Sequence, residues 1–151
     1  MVDASAQLEM RARCVSCDLF GMTERTPKQV IVMRKDLGMR KGKMIAQGAH
    51  AAMAVLLEGA RSSETEIVLP LSPAAHEWLV SGRFTKICVG VDSEAALDEV
   101  IARAKAANVP CALIVDTGKT EFHGVETKTC CAVGPAWADE VDAITGALAL
   151  L

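Results

Sequence analysis

The sequence predicts one α/β domain, a mixed four-stranded sheet flanked by helices in the order β-α-α-β-α-β-β-α. Short β-branched runs (28–33, KQVIVM; 85–91, TKICVGV; 111–116, CALIVD; 129–133) alternate with longer stretches of helical spacing. Helical stretches separate the first three strands, whereas the last two are joined by a turn, which implies parallel crossovers plus one hairpin. The chain has 151 residues, 51% of them hydrophobic. That is enough for one core without a staple of disulfides or metal.

Residues 1–27 lack sustained periodicity and close on Thr26-Pro27, so they read as a flexible or loosely docked extension ahead of a domain at 28–151. Met22 is a possible alternative start. The first strand, 28–33, is closed by Arg34-Lys35-Asp36 and Gly38. From Lys41 to Leu57, Ile45, Ala49, Ala52, Met53 and Leu56 recur at helical spacing and read as the packing stripe, with Gly59 ending the helix. Pro73 opens a short helix that stops near Gly82. The second strand, 85–91, leads into a helix over 93–107 capped by Asp92 or Ser93 and stopped at Asn108 to Pro110. After the strands at 111–116 and 129–133, Pro135 reads as the start of a last helix with Val141, Ile144 and Leu148 on one face.

Composition excludes several classes. With two Trp, three Phe and no Tyr, base-stacking platforms are disfavoured. No apolar run reaches the roughly 20 residues of a membrane span. Acids among the first residues disfavour a transit peptide, so the expected compartment is the cytoplasm. Of six Cys, four lie in strand-like runs and read as small buried hydrophobes; Cys130 and Cys131 read as one side chain in and one out. Cys14 and Cys17 have the spacing of half a zinc site or a redox pair, with no second pair at ligand spacing, so no metal is expected.

The formal charge of -3 hides an asymmetry. Between Arg25 and Lys43 stand seven bases and one acid, Asp36, a basic patch suited to a localised anionic ligand. Arg40, Lys41 and Lys43 also crowd the start of the first long helix, against its macrodipole but well placed for an anion. On a helical wheel Lys43, Gln47 and His50 share a sector roughly opposite the apolar stripe. Asp116 ends a strand on the ligand-facing edge of an α/β sheet, where it either meets a lysine or merely makes an Asx turn before Gly118.

The block Arg34 to Val55, RKDLGMRKGKMIAQGAHAAMAV, resembles the motif of the archaeal and eukaryotic type (class II) of peptidyl-tRNA hydrolases, in which R-x-D-L-x-M runs into G-K-x-x-A-Q-x-x-H-A. Asp116-Thr117-Gly118-Lys119-Thr120 is similar to the family's D-A-G-x-T, and Thr129 with Gly134-Pro135 matches T-x-x-x-x-G-P. Trp78, Gly82 and Thr145-Gly146 fit as well. Thr117 departs from the usual Ala, and the span from Thr120 to Thr129 is one residue longer, so either Thr127 or Thr129 matches the family's threonine.

The resemblance implies a four-stranded mixed sheet, commonly dimeric, that hydrolyses the ester between a peptide or blocked amino acid and tRNA and so recycles the tRNA. It implies an active-site set of Lys43, Gln47, Asp116 and Thr120, with Thr129 and His50 as outer members. Lys28, Arg34, Lys35, Arg40 and Lys41 would contact tRNA phosphates, and no cofactor or metal is required. The alternatives are a non-catalytic RNA-binding or adaptor protein on the same fold and, more remotely, a metal or thiol module built on Cys14 and Cys17.

Overall fold

A computed structural model of the chain describes residues 25–151; Cys14, Cys17 and Met22 lie outside them. The elements are β1 (Pro27–Arg34), α1 (Lys41–Leu57), β2 (Arg61–Ser62), β3 (Ile67–Val68), α2 (Pro73–Val80), β4 (Lys86–Val91), α3 (Glu94–Ala106), β5 (Cys111–Asp116), β6 (Thr127–Trp137) and α4 (Ala138–Thr145). The four long strands form one sheet in the order β4-β1-β6-β5, and β2 and β3 make a small separate hairpin. β1 is parallel to β4, while β6 is antiparallel to both β1 and β5. Three strands therefore point one way, and Arg34, Val91 and Asp116 end at the same side of the sheet.

Helices cover both faces, which is why the central strands read as unbroken apolar runs. Val30 and Val32 of β1 pack with Val133, Leu97 and Val100 of α3, and Val141 and Ile144 of α4. The alternate residues Ile31 and Met33 pack with Cys130, Ala132, and Ala51 and Val55 of α1. Each fully buried Val or Leu contributes about 1.5–3 kcal/mol relative to exposure. Cys130 and Cys131 are thus both inside, one per face, and burial pushes the Cys130 thiol up to about 11, which makes it inert. Hydroxyl caps start two of the helices: Ser72 Oγ accepts from Ala75 N ahead of Pro73, and Ser93 Oγ accepts from Ala96 N, both at 3.1 Å.

Two further expectations need correction. The most buried face of α1 is Gln47, Ala51 and Val55; of the expected stripe, Ala52 and Leu56 do pack against the core, whereas Ile45 and Met53 are 73% and 55% exposed. The helix is apolar or small nearly all round, so its wheel did not single out one face, and a polar residue took the buried stripe because its hydrogen bonds are met there. Pro135 does not open the last helix. It is buried within β6, which continues to Trp137 across an irregularity opposite Lys28 to Val30. At the start of the described residues, Arg25 bonds Asp139 at 2.8–3.1 Å and lies over the Trp137 ring, and Thr26 O accepts from Ala138 N.

Candidate active site

The carboxyl end of β5 and the start of α1 meet on one face of the sheet. Ala112 and Ile114 of β5 pack against the α1 layer, so alternation turns Asp116 the same way. On α1, Lys43 and Gln47 are one turn apart and lie on the stripe that continues into Ala51 and Val55. The two elements thus bring Lys43 Nζ against Asp116 Oδ2, with both side chains nearly buried. Gln47 Nε2 donates to the same oxygen at 2.9 Å, and Lys43 also donates to Thr120 Oγ1 at 3.0 Å. The Lys43 ammonium stands 5.5 Å from the Phe122 ring centroid.

The other carboxylate oxygen, Oδ1, accepts from Gly118 N at 2.8 Å. Asp116 therefore does both things the sequence left open: one oxygen makes the Asx turn and the other meets the lysine. The turn needs glycine at 118, where φ is +80° and a Cβ would lie 2.5 Å from both N and O of Val125. Lys43 beside it holds the Asp116 carboxyl below the usual carboxylate range, assisted by Gly118 and Gln47 against the opposing effect of burial. The group is ionised at neutral pH.

Gln47 is 3% exposed and fully used. Its Oε1 accepts from Thr129 Oγ1 at 2.6 Å, and Thr129 is wholly buried. Thr129 reaches α1 through an irregularity in the ladder: Ile114 pairs with Cys130 but Val115 pairs with Lys128. In an unbroken strand Thr129 would face the same way as Cys131, away from α1. Thr127 instead bonds Val125 O, so of the two threonines only Thr129 joins this network. His50 is exposed and borders a hollow of about 440 Å³ with Gln47, Asp116 and Thr117.

Sequence reasoning missed Glu121. Its carboxylate, 14% exposed, accepts from Arg40 Nε at 2.7 Å and from Arg40 N at 3.3 Å, closing the loop over the start of α1. Arg40 in turn holds the Glu121 carboxyl below its ordinary range. The Glu121 carboxylate thus stands beside the start of α1, where its charge complements the helix dipole. No spacing signal announces Glu121, because the contact depends on the loop after Asp116 folding back.

The expected phosphate-binding residues separate. Arg34 is buried and bonds Asp36, Glu94 and Lys128 O. Lys28 sits at the opposite end of β1 and pairs with Asp142 at 2.6 Å. Lys35 pairs with Asp92. Arg40, with its side chain 79% exposed, and exposed Lys41 stand beside Lys43. Among the described residues no cluster of three or more His, Cys, Asp or Glu is disposed to hold a metal, and no helix is long and apolar enough to cross a membrane.

The chain is similar to proteins already known. The peptidyl-tRNA hydrolase of Methanocaldococcus jannaschii is 40% identical over 82% of this chain and 99% of its own length. That of Saccharolobus solfataricus is 44% identical over 82% and 98%. A solved protein of unknown function from Agrobacterium tumefaciens strain C58 shares the fold, with a TM-score of 0.52 over 82% of this chain and 96% of that one at 13% identity. Residues 27–151 match the family described as peptidyl-tRNA hydrolase PTH2, and the chain belongs to that family of hydrolases, which act on the ester joining peptide to tRNA.

Proposed function

We propose that hydrolysis of peptidyl-tRNA by this chain runs on Lys43, Gln47, Asp116 and Thr120, with Thr129 setting Gln47 and His50 bordering the site. The observation that carries this reading is the Asp116 carboxylate, which receives three donors and keeps an acceptor position on Oδ1. A water bonded there is aimed at the ester carbonyl. As its oxygen adds to the carbonyl carbon, its proton passes to Asp116, and the Lys43 ammonium offsets charge on the carbonyl oxygen. The tetrahedral centre then collapses, the carbon–oxygen bond to ribose breaks, and the ribose oxygen takes the proton held by Asp116 to leave as the hydroxyl, which returns Asp116 to its ionised form. Thr120 and Gln47 hold Lys43 and Asp116 in place for both steps.

Arg40 and Lys41 are the cations best placed for phosphates near the ester, with Lys35 further out. Arg34 and Lys28 serve the fold instead. Affinity should fall with salt, since phosphate contacts release counterions. The setting is the cytoplasm, and the assembly a homodimer. The latter is supported by an exposed apolar groove of about 540 Å³ along α1, bordered by Met44, Ile45, Ala49, Met53 and Leu151; sedimentation equilibrium tests it.

The decisive assay is single-turnover release of N-acetyl-amino acid from tRNA. Lys43→Ala should lose about 100-fold or more, the scale of deleting one transition-state donor. tRNA binding without release by the unaltered protein would instead point to an adaptor.

A further inference from the structure

We infer that the peptidyl part of the substrate binds as an added strand along the outer edge of β5. This rests on the reading of Asp116 as the place where the ester lies. The two edges of the sheet are treated differently. Along β4 the C-terminal tail covers the edge: Leu150 bridges Val89, Gly90 N donates to Ala149 O at 3.0 Å, and Leu151 N donates to Cys88 O at 3.1 Å. Among the described residues β5 has β6 as its one neighbouring strand, and no loop bonds its outer side.

Pro110 O accepts from Gly134 N of β6 at 2.7 Å, so alternation along the antiparallel ladder turns the N–H and C=O of Cys111 and Leu113 outward. An uncovered edge of this kind is a template for another extended chain.

The edge lies at the bottom of a trough. Three adjoining hollows of about 410, 430 and 440 Å³ follow β5, sharing Cys111 and then Leu113 as common borders. Gln47, His50 and Ala54, on successive turns of α1, and Glu58 at its end form one wall, and Ile101 and Lys105 of α3 form part of the other. The trough ends at Asp116 and Gln47. The occupant therefore has a free end away from the site and a carboxyl end at Asp116, which is the polarity of a peptide esterified to tRNA lying parallel to β5. At roughly 3.3 Å per residue, β5 offers room for about five substrate residues. Recognition through main-chain groups also suits an enzyme whose peptides differ in sequence.

The test uses the unaltered full chain and a set of alanine substrates: N-acetyl-alanyl-tRNA, N-acetylated peptidyl-tRNAs of two to eight alanines, and pentapeptides with one N-methyl-alanine at each position. kcat/KM should rise with length and level off near five residues. N-methylation should lower it about three- to tenfold at alternate positions and less than twofold between them. A flat length series, or equal effects at every position, overturns the strand-addition proposal while leaving the hydrolase reading intact. Failure to hydrolyse any member of the set, from N-acetyl-alanyl-tRNA to the longest peptide, overturns the hydrolase reading itself. Slow amide exchange at Cys111 and Leu113 in substrate-free protein of dimer mass would place a second copy on this edge and overturn the proposal.

Discussion

Two ion-pair clusters stand at the carboxyl ends of parallel strands, and adjacent residues of β6 belong to one each. Lys128 turns to the α3 side, where it bonds Asp98 at 2.8 Å and Glu94 at 3.3 Å, and its carbonyl accepts from Arg34. Thr129 turns to the α1 side and bonds Gln47. In the first cluster the Arg34 guanidinium makes four bonds to acceptors and is 10% exposed. In the second, Asp116 is equally enclosed but retains an acceptor position and faces a hollow. An ion pair at a strand end is therefore no mark of a site. What separates the two is the hollow beside Asp116, into which one of its acceptor positions remains open.

Exchanging the charges for apolar residues should break the two clusters in opposite ways. Lys43→Met is expected to cost about 100-fold or more in deacylation, with a loss of urea stability smaller than that of Arg34→Leu because Asp116 borders an open hollow. Arg34→Leu leaves its partners unpaired and should cost about 1–3 kcal/mol of stability, with turnover of the folded protein within a few fold. Gly118→Ala attacks the second cluster through its backbone. The Cβ collides with Val125, the donor to Oδ1 is displaced, and turnover should fall at least about tenfold alongside a strain cost of roughly 1–3 kcal/mol.

Thr129 sharpens the comparison further. Thr129→Val leaves Gln47 Oε1 without its donor and should lower kcat several-fold, whereas Thr129→Ser restores it; if both behave like the unaltered protein, the bond to Gln47 does not matter. The smallest effect at neutral pH concerns acid. Asp116 and Asp36, the latter held low by Arg34, both titrate below their unfolded values. Their stabilising contributions are complete above the unfolded carboxylate range, near 3.9, and are lost as pH falls through the folded values. Unfolding free energy should thus stay level down to about pH 4 and then decline, and the acid limb of kcat/KM should lie in the same range.

Much of the fold was legible in the residues. β5 and α1 begin and end as read, because β-branched runs and Gly, Pro and Asn stops mark strand and helix limits through local physics. The face of α1 was not legible: with Ala at 46, 49, 51, 52 and 54, burial is decided by what the helix meets, and Gln47 is buried because Thr129 and Asp116 satisfy it. The irregularity that aims Thr129 at α1 is a property of ladder register, and the Arg40–Glu121 contact is a property of loop return. Neither leaves a trace in spacing. The extent of β6 was misjudged because Gly134-Pro135 has the composition of a break. The basic stretch was legible as charge but its ion pairs were not, since most of its members meet acids from distant parts of the chain.

The central claim is that the ionised Asp116, rather than the lysine cluster as a whole, directs the attacking water. Asp116→Asn tests it most directly, because the amide preserves shape and can still accept from Gly118 N. Single-turnover release of N-acetyl-amino acid from tRNA by the folded variant should fall about 100-fold, with tRNA affinity changed less than threefold. Release at the unaltered rate by a folded Asp116→Asn protein would contradict the account.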